Sequence, residues 1–386
     1  MNSQRVSSLM DLRIGILGGG QLAKMMAQEA RKMGLEVVVL DPTPHSPASM
    51  VANQIVGDFR NSEYVKKLAE VSDVITYDIE SVDTSYLREI KYKVFPSPEI
   101  LDIIQDKLLQ KRFLKQHGIP TPEFREIGGV GEIDVFPCVQ KARRGGYDGR
   151  GTFVIRSRDD LERAITSPSY IEEFIDIAKE LAVMVARNRY GEIAVFPVVE
   201  MVFDPRGNIL DFLIAPARVE TSVVDEVKRL AVKTVEALGG VGVFGIEFFL
   251  SRDDRVLVNE IAPRPHNSGH YTIEACATSQ FEQHIRAILG LPLGATDLLV
   301  SAVMVNLLGS DGYYGKAVYE GVEEVLRIPG VYLHIYGKRE TFPRRKMGHV
   351  TVIDRDLELA LEKAKLVKEK LKVKGERYEG GDNNGK

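Results

Sequence analysis

Apolar runs alternate with amphipathic segments along the first part of the chain. The apolar runs predict strands at 12–17, 36–40, 54–56 and 74–76. Between them, apolar residues recur at helical spacing over 21–33 and 62–71. Gly34 follows the first of these helices, and glycine is a typical helix terminator. Strands alternating with helices predict a parallel α/β sheet.

Strands dominate the pattern after a proline-rich segment at 94–98. They are predicted at 136–141, 153–156, 169–175, 180–186, 194–200, 211–214, 241–250, 255–259, 300–306, 331–337 and 348–353. Helices are predicted at 99–116, 159–166, 225–238, 271–289 and 356–371. The predicted fold class is therefore α/β, with α+β character in the later domains. We expect domains at 1–96, 97–298 and 299–372, followed by a disordered tail at 373–386.

Composition indicates a globular protein, since 44% of the 386 residues are hydrophobic and 27% are charged. The net charge of −4 argues against bulk nucleic-acid binding, which needs a basic field. Cys138 and Cys276 provide neither a disulfide framework nor a metal quartet, so a reducing compartment is expected. No apolar run reaches membrane-spanning length, and residues 1–11 lack the apolar core of a signal peptide. These features predict a cytoplasmic protein without nucleic-acid or membrane partners.

A glycine turn lies between the first strand and the first helix. Gly18, Gly20 and Ala23 fit the dinucleotide-binding fingerprint, and Asp41 stands where a ribose-binding acid would lie. Taken alone, this pattern indicates an NAD-dependent dehydrogenase. A glycine turn that exposes a helix N-terminus would also suit any other phosphate, so both interpretations stay open at this point.

Acidic residues end two of the predicted strands. Asp78 and Glu80 follow the strand at 74–76, where an open parallel sheet faces its ligand crevice. The alternative is a solvated strand end. The second acidic edge, Glu172 to Ile175 followed by Glu180, could hydrogen-bond an adenine and a ribose.

Glycines and arginines interleave at 143–151, directly after Lys141 at the end of a strand. Glycines let a backbone close over a ligand, and arginines neutralise phosphate. The segment lacks the Gly-Lys-Ser/Thr of a Walker A loop. It therefore indicates either a lid over phosphates or a glycine-rich hairpin.

The segment 259–270 combines a carboxylate, a guanidinium, two imidazoles and two amides. Pro263 and Pro265 bias it away from helix, and we expect a loop that follows the strand at 255–259. A turn at 251–255 joins that strand to the one at 241–250, so that Glu247 and Glu260 can face one another. Two converging carboxylates suit Mg²⁺, and a salt bridge to a buried arginine is the alternative.

Five cations occur within nine residues at 338–346, in a protein that is acidic overall. They indicate either a local anion site or a solvated turn. A lysine at a strand end, a Gly/Arg lid, an acidic strand edge and paired carboxylates together form a complete set of groups for binding ATP.

These motifs resemble those of the ATP-grasp superfamily and, within it, the N5-carboxyaminoimidazole ribonucleotide synthetases. The resemblance covers roughly residues 12–353 and is carried by 18–22, 76–80, 141–151, 259–270 and 345–349. It implies an ATP-grasp fold, with a Rossmann-like parallel-sheet (pre-ATP-grasp) domain at the N-terminus and a small β-rich domain at the C-terminus. It also implies a lid near 121–176. Two positions depart from the family pattern: Asp78 stands where members commonly have Glu, and Lys107 where some have Arg.

The resemblance implies a specific reaction. ATP, bicarbonate and 5-aminoimidazole ribonucleotide would give ADP, phosphate and the N5-carboxylated ribonucleotide through carboxyphosphate, with Mg²⁺ and without biotin. A homodimer is expected. The alternatives are another ATP-grasp ligase, such as the formate-dependent glycinamide ribonucleotide transformylase, an ATP-binding regulatory protein without turnover, and the dehydrogenase.

The resemblance also assigns residue roles. The residues implied to contact ATP are Lys107, Lys141, Gly146, Gly149, Gly151, Glu172, Glu173, Phe174, Ile175, Glu180, Asn259 and Glu260. Those implied to hold the ribonucleotide are Gly20, Gln21, Leu22, Glu80, Tyr147, Asp148, Arg150, His266, Asn267, Lys338 and Arg345. Glu247 and Glu260 would bind Mg²⁺. Catalytic roles fall to Arg264, which would face the carboxyphosphate, and to Lys141, Tyr147 and Asp148.

Overall fold

The computed structural model describes residues 9–146, 151–204 and 209–377. Its helices are α1 (Gln21–Lys32), α2 (Ser62–Glu70), α3 (Thr84–Glu89), α4 (Pro98–Gln105), α5 (Lys107–Gln116), α6 (Thr221–Leu238), α7 (Thr272–Ala275), α8 (Gln280–Leu289), α9 (Val322–Leu326) and α10 (Leu357–Lys370). Its strands are β1 (Arg13–Leu17), β2 (Glu36–Asp41), β3 (Asn53–Val56), β4 (Val74–Tyr77), β5 (Phe124–Glu126), β6 (Cys138–Ala142), β7 (Thr152–Ile155), β8 (Ser169–Glu173), β9 (Ile177–Arg187), β10 (Ile193–Val195), β11 (Val199–Asp204), β12 (Ile209–Ala215), β13 (Gly242–Ser251), β14 (Val256–Ala262), β15 (Ser301–Leu308), β16 (Tyr313–Glu320), β17 (Val331–Ile335), β18 (Glu340–Thr341), β19 (Lys346–Asp354) and β20 (Lys372–Arg377). Among the described helices, none is both long and apolar enough to cross a membrane.

The first four strands form a parallel sheet in the order β3-β2-β1-β4, which confirms the predicted α/β unit. Its core also includes side chains of α8, among them Phe281 and Ile285. His284 of α8 joins the two main parts of the protein, because one ring nitrogen accepts the Val243 N–H (3.0 Å) and the other bonds Thr76 (2.8 Å). Burial lowers the pKa of His284 to about 3, so the ring is neutral.

The prediction of one helix over 99–116 was wrong, because Asp106 divides it into α4 and α5. Asp106 has extended backbone angles, and its carboxylate accepts the N–H groups of Leu108 and Leu109. It is therefore the N-cap of α5, a role that aspartate favours strongly. The cap places Lys107 at the first position of the new helix.

A small antiparallel sheet, in the order β5-β8-β6-β7, carries the residues on either side of the Gly/Arg segment. The α-helix predicted at 159–166 is instead a 3₁₀ helix, Arg158–Arg163. It begins with a capping box between Ser157 and Asp160, and such tight turns are usually short.

The large sheet runs β14-β13-β9-β11-β12-β15-β19-β17, with β10 paired to β9. The strand predicted at 194–200 is divided into β10 and β11, separated by Pro197, which cannot donate to a ladder. α6 packs over one face of the sheet through Val227, Leu230 and Val235. Of the residues predicted to bind ATP and Mg²⁺, Glu180 lies on β9, Glu247 on β13, and Asn259 and Glu260 on β14.

Two further predictions around the segment 259–270 were wrong. β14 extends through Asn259 and Glu260 to Ala262, so only the proline-containing part is a loop. The helix predicted at 271–289 is divided into α7 and α8. Cys276 is extended and bridges Leu298, and the Ser279 side chain then caps α8.

The C-terminal part contains more sheet than the pattern indicated. β16, β18 and β20 form a separate three-stranded sheet that was not predicted. The predicted disorder from Val373 does not hold for Val373–Arg377, which pair with β16. Residues 378–386 of the predicted tail lie outside the described part of the chain.

Candidate active site

The paired carboxylates lie at the centre of the candidate site. Glu247 of β13 and Glu260 of β14 are direct partners in the antiparallel register, next to a bulge, as the predicted hairpin required. Burial, together with the charges of Glu260 and Glu180, raises the pKa of Glu247 to about 8. For Glu260, burial opposes ionisation, but the charge and hydrogen bond of Lys107, together with the charges of Lys141 and Lys111, lower the pKa below its usual value. The pair therefore carries about one negative charge at neutral pH.

Two lysines project over these carboxylates from other elements. Lys107 Nζ lies 2.7 Å from Glu260 Oε2, and Lys141 Nζ donates to Asn259 Oδ1 at 2.9 Å. Lys141 is brought there by the end of β6, while Lys107 depends on the Asp106 cap. Cations at these positions could neutralise phosphate oxygens that approach the carboxylate pair.

The fit of Mg²⁺ rests on this donor set. Among the described residues, no group of three His, Cys, Asp or Glu side chains comes together as a metal site. Glu247 and Glu260 are a pair, and Mg²⁺ commonly takes one or two carboxylates together with substrate phosphates and water. Burial and, after it, the neighbouring carboxylates raise the pKa of Glu247, and a bound cation would favour the ionised form of its carboxyl group.

The acidic edge after β8 is arranged differently from the simple prediction. The Glu172 carboxylate accepts ion pairs from Lys111 and Lys141 and is 3% exposed, so both of its oxygens are already engaged. Glu173 pairs with Arg255 at 3.0 Å. Glu180 has no ion-pair partner among the described residues, and burial raises its pKa to about 7.

The remaining residues of that edge point in different directions. Ile175 is 5% exposed and belongs to the interior, while Phe174 lies under the guanidinium of Arg156. Contacts of residues 172–175 and Glu180 with the adenine and ribose of ATP stay predictions.

Arg264 lies between the carboxylate pair and the first sheet. Its Nη2 forms a salt bridge of 2.8 Å to Glu80 Oε1. Burial opposes the charged form, but the Glu80 carboxylate, together with the charges of Asp78 and Glu260, raises the Arg264 pKa above its usual value. The Arg264 Nε is buried and has no hydrogen-bond partner among the described residues. A buried donor without a partner is costly, so this N–H is suited to a ligand oxygen.

The loop after Arg264 is held by Gln280. Its side-chain oxygen accepts the His266 N–H (2.9 Å), and its nitrogen donates to the His266 carbonyl (2.8 Å). Burial and the Arg264 charge lower the pKa of His266 to about 3, so the ring is neutral, and its Nε2 lies 3.8 Å from Glu247 Oε1. Asn267 exchanges two hydrogen bonds with Asn306.

The glycine turn is not the open phosphate cradle that its pattern suggested. The Gly19 N–H donates to Asp41 (2.8 Å), and the Gly20 N–H donates to Asp78 (2.7 Å). Asp41 is thereby turned toward the backbone, so the ribose role that supported the dehydrogenase interpretation has no basis in this geometry. The side chain of Leu22, a predicted substrate contact, is buried in the core.

Asp78 was set aside in favour of Glu80 by sequence, yet it is part of the site. It also accepts the Ala23 N–H at 3.4 Å, which makes it the side-chain acceptor for the N-terminus of α1. Burial raises its pKa to about 6, against the opposing charge of Arg264. Its position directly after β4 was the available signal.

The cationic segment at 338–346 is partly tied to the protein itself. Lys338 donates to the Lys346 carbonyl (2.7 Å), and Arg345 donates to the Glu340 carbonyl (2.7 Å). Lys346, which sequence reasoning did not single out, is near enough for its charge to lower the pKa of His266.

Four of the predicted site residues, Tyr147, Asp148, Gly149 and Arg150, lie outside the described residues. The flanking glycines are described. Gly151 has a positive φ of 76°, which favours glycine, and its carbonyl accepts the Ala142 N–H at 2.7 Å. Gly146 lies so close that a side chain on Gly151 would meet its Cα at 3.3 Å.

The sheets, together with lysines and carboxylates converging on β13 and β14, define an ATP-grasp protein. Three family models match in succession: the ribonucleotide synthetase preATP-grasp domain at residues 11–105, the ATP-grasp domain at 112–281, and the phosphoribosylaminoimidazole carboxylase C-terminal domain at 302–363. The chain is 42% identical to N5-carboxyaminoimidazole ribonucleotide synthase of Bacillus subtilis, over 88% of this chain and 90% of that protein. The chain belongs to the N5-carboxyaminoimidazole ribonucleotide synthase family.

Solved structures are similar throughout. The synthetase of Thermotoga maritima is 56% identical, with a TM-score of 0.88 over 95% of this chain and 100% of that one. The Aspergillus clavatus enzyme in complex with ADP and 5-aminoimidazole ribonucleotide is 36% identical, with a TM-score of 0.85 over 94% of this chain and 98% of that one. The chain spans 64% of the Saccharomyces cerevisiae phosphoribosylaminoimidazole carboxylase, to which it is 40% identical over 89% of its own length. The predicted ATP-grasp fold is confirmed.

Proposed function

We propose that this protein carboxylates 5-aminoimidazole ribonucleotide at the expense of ATP and bicarbonate, and releases ADP and phosphate. The observation that carries the proposal is the convergence of Glu247, Glu260, Lys107 and Lys141 beside Arg264. Its family membership and the ribonucleotide named in the Aspergillus clavatus complex support the choice of substrate. The proposed place of the reaction is purine biosynthesis.

In the first step, bicarbonate oxygen attacks the γ-phosphorus of ATP, the bond to ADP breaks, and carboxyphosphate forms. Lys107 and Lys141 would hold the phosphate oxygens, and Glu247 and Glu260 would hold Mg²⁺. A bound Mg²⁺ would neutralise charge that develops on the transferred phosphoryl group. Such reactions depend on positioning and charge neutralisation more than on covalent chemistry by the protein.

In the second step, the exocyclic amine nitrogen of the ribonucleotide bonds to the carboxyl carbon and loses one proton. The carbon–oxygen bond to phosphate breaks, either during this attack or earlier, when carboxyphosphate releases CO₂, and phosphate leaves. The free Nε of Arg264 would bind an oxygen of the carboxyl group. Glu80, held by Arg264, and His266 and Asn267 on the Gln280-held loop would bind the ribonucleotide. The predicted roles of Gly20, Gln21, Tyr147, Asp148, Arg150, Lys338 and Arg345 are part of this proposal.

The proposal extends to the organisation of the protein. We keep domains at 1–96 and 97–298, and a C-terminal domain that starts at 299 and includes β20. We also keep a lid near 121–176 and a homodimer in the cytoplasm. Size-exclusion chromatography with light scattering would test the dimer, since a monomer has half the expected mass.

The activity is tested by phosphate release from ATP. Formation of the carboxylated ribonucleotide should require both bicarbonate and 5-aminoimidazole ribonucleotide, with Mg²⁺ present. Phosphate release driven by formate and glycinamide ribonucleotide would identify a different ATP-grasp ligase. A change in NAD(P)H absorbance would identify a dehydrogenase.

A further inference from the structure

Lys111 is a buried cation to which the proposed reaction gives no role. It lies one helical turn after Lys107 on α5 and is 1% exposed. Its ammonium lies 3.0 Å from Glu172 Oε1 and donates to the Thr121 hydroxyl at 2.8 Å. A lysine is almost never buried to this extent without a partner, so the ion pair with Glu172 explains its presence.

Glu172 connects Lys111 to the ATP site. Its other oxygen, Oε2, lies 2.8 Å from Lys141, and Tyr170 donates its hydroxyl to Oε1 at 3.0 Å. Two lysines therefore share one carboxylate in a place closed to water. Lys141 is the one that also reaches Asn259, next to the carboxylate pair.

The charges decide what Lys111 does. With Lys111 present, Glu172 is already neutralised, so the cluster of two lysines and one carboxylate keeps one positive charge. Without Lys111, Lys141 would be the only cation among the described residues left to pair with this buried carboxylate, and its charge would be balanced there. An uncompensated carboxylate in the interior is costly, which would bind Lys141 strongly to Glu172.

We propose that Lys111 is a positioning residue for ATP, which neutralises Glu172 and thereby leaves the charge of Lys141 for the phosphates. The proposal rests on the proposed function, in which Lys141 contacts ATP. Burial lowers the pKa of Lys111 to about 8, so the ammonium stays charged at neutral pH. For Glu172, burial is outweighed by the two lysines, which bring its pKa to about 2.

A purely structural role for Lys111 and the proposed positioning role predict different effects of substituting Glu172. Lys111 also approaches the Val258 carbonyl of β14 (3.4 Å), so its loss would loosen the contact between α5 and the large sheet. If that were its whole purpose, a second substitution at Glu172 would add to the damage. If Lys111 acts through Glu172, removing the carboxylate would restore the charge of Lys141.

The experiment is a double-substitution cycle on the full-length protein, with Mg-ATP binding measured by isothermal titration calorimetry at pH 7. Lys111→Met should raise the Kd for ATP at least about tenfold, as expected for a lost charge-assisted contact. In a Glu172→Gln background, the same Lys111→Met substitution should change the Kd by less than about threefold, because the carboxylate through which Lys111 acts is already gone. Lys115→Met is the matched control, since Lys115 lies one turn further along α5, is 60% exposed, and pairs with Glu123 at the surface.

Each outcome decides the matter. Wild-type affinity in Lys111→Met, or a double variant that binds ATP much more weakly than Glu172→Gln alone, would overturn the inference. If Lys111→Met does not fold, the double variant is compared with Glu172→Gln alone: an affinity within about threefold supports the inference, and weaker binding overturns it. Absence of ATP binding by the wild-type protein would instead overturn the proposed function, and the inference with it.

Discussion

The substitution Glu247→Gln should stabilise the protein while it abolishes turnover. The carboxyl group lies beside Glu260 and near Glu180, and burial with these two charges raises its pKa from 4.5 to about 8. Glutamine has nearly the same shape, carries no charge, and can donate an N–H to Glu260. Replacing one carboxylate oxygen by an NH₂ group therefore both removes the buried charge and removes the proposed Mg²⁺ ligand.

The magnitude follows from the pKa. A carboxyl group with a raised pKa in the folded state costs nothing below pH 4.5, and the cost grows as the pH rises until about pH 8. At pH 7 the shift corresponds to roughly 3 kcal/mol at 1.36 kcal/mol per pH unit. Since 23% of the side chain is exposed and solvent screens part of the repulsion, we expect about 2 kcal/mol. For a protein of this size, that raises the melting midpoint by roughly 3 °C.

The assay is thermal unfolding of wild type and Glu247→Gln between pH 4.5 and 8.5. The difference in melting midpoint should be near zero at the lowest pH and grow with pH. Mg-ATP should raise the midpoint of the wild type and have little effect on the variant, because a ligand stabilises only the state that it binds. Glu260→Gln is the matched control on the partner strand: it loses the 2.7 Å pair with Lys107 and should melt below wild type. A Glu247→Gln midpoint below wild type, or a difference independent of pH, would refute the reasoning.

Three further predictions concern the other half of the site. Gly18→Ala should lower the melting midpoint and raise the KM for the ribonucleotide, because Gly18 has a φ of 95° and a Cβ there would collide with the Asp78 carboxylate. Gly129→Ala is the control, since a Cβ on Gly129 would meet no atom within 4 Å. Equal effects of the two substitutions would contradict this explanation. In the wild type, the KM for the ribonucleotide should rise as the pH falls through about 6, where Asp78 takes up a proton and its hydrogen bond to the glycine turn weakens. Asp78→Asn should flatten this pH dependence of the KM. A pH dependence that is unchanged in the variant would exclude Asp78 as its cause. Arg264→Lys keeps the charge but loses the planar guanidinium, which binds Glu80 and keeps Nε available for a ligand oxygen. The kcat should therefore fall by at least about tenfold, with little change in the KM for ATP. Steady-state kinetics in which only the KM for ATP changes would contradict the placement of Arg264.

Sequence reasoning succeeded where the determining contacts are local. Glu247 and Glu260 could be paired because one short turn joins their strands, and the register then follows from the hairpin. The division of 99–116 was missed although its cause is equally local. Asp106 favours an N-cap, but its neighbours Gln105 and Lys107 fit a continuous helix equally well.

The partners of Glu172 could not be found in the same way. Lys111 and Glu172 are separated by 61 positions along the chain, and Lys111 looks like an ordinary surface lysine of an amphipathic helix. Only the packing of α5 between β8 and β14 turns its side chain inward. Its spacing of four residues from Lys107 was the available signal, since residues four apart share a helix face.

Arg264 occupies the point where distant parts of the chain meet. Its partner Glu80 precedes it by 184 positions, while Lys107 reaches Glu260 across 153 and Lys141 reaches Asn259 across 118. The first of these contacts belongs to the proposed ribonucleotide half and the other two to the ATP half. Because Arg264 follows Glu260 by only four positions on a loop fixed by two prolines, a displacement of β14 by ATP would be transmitted to the ribonucleotide half. The short connection thus ties the group that would bind the carboxyl intermediate to both substrates.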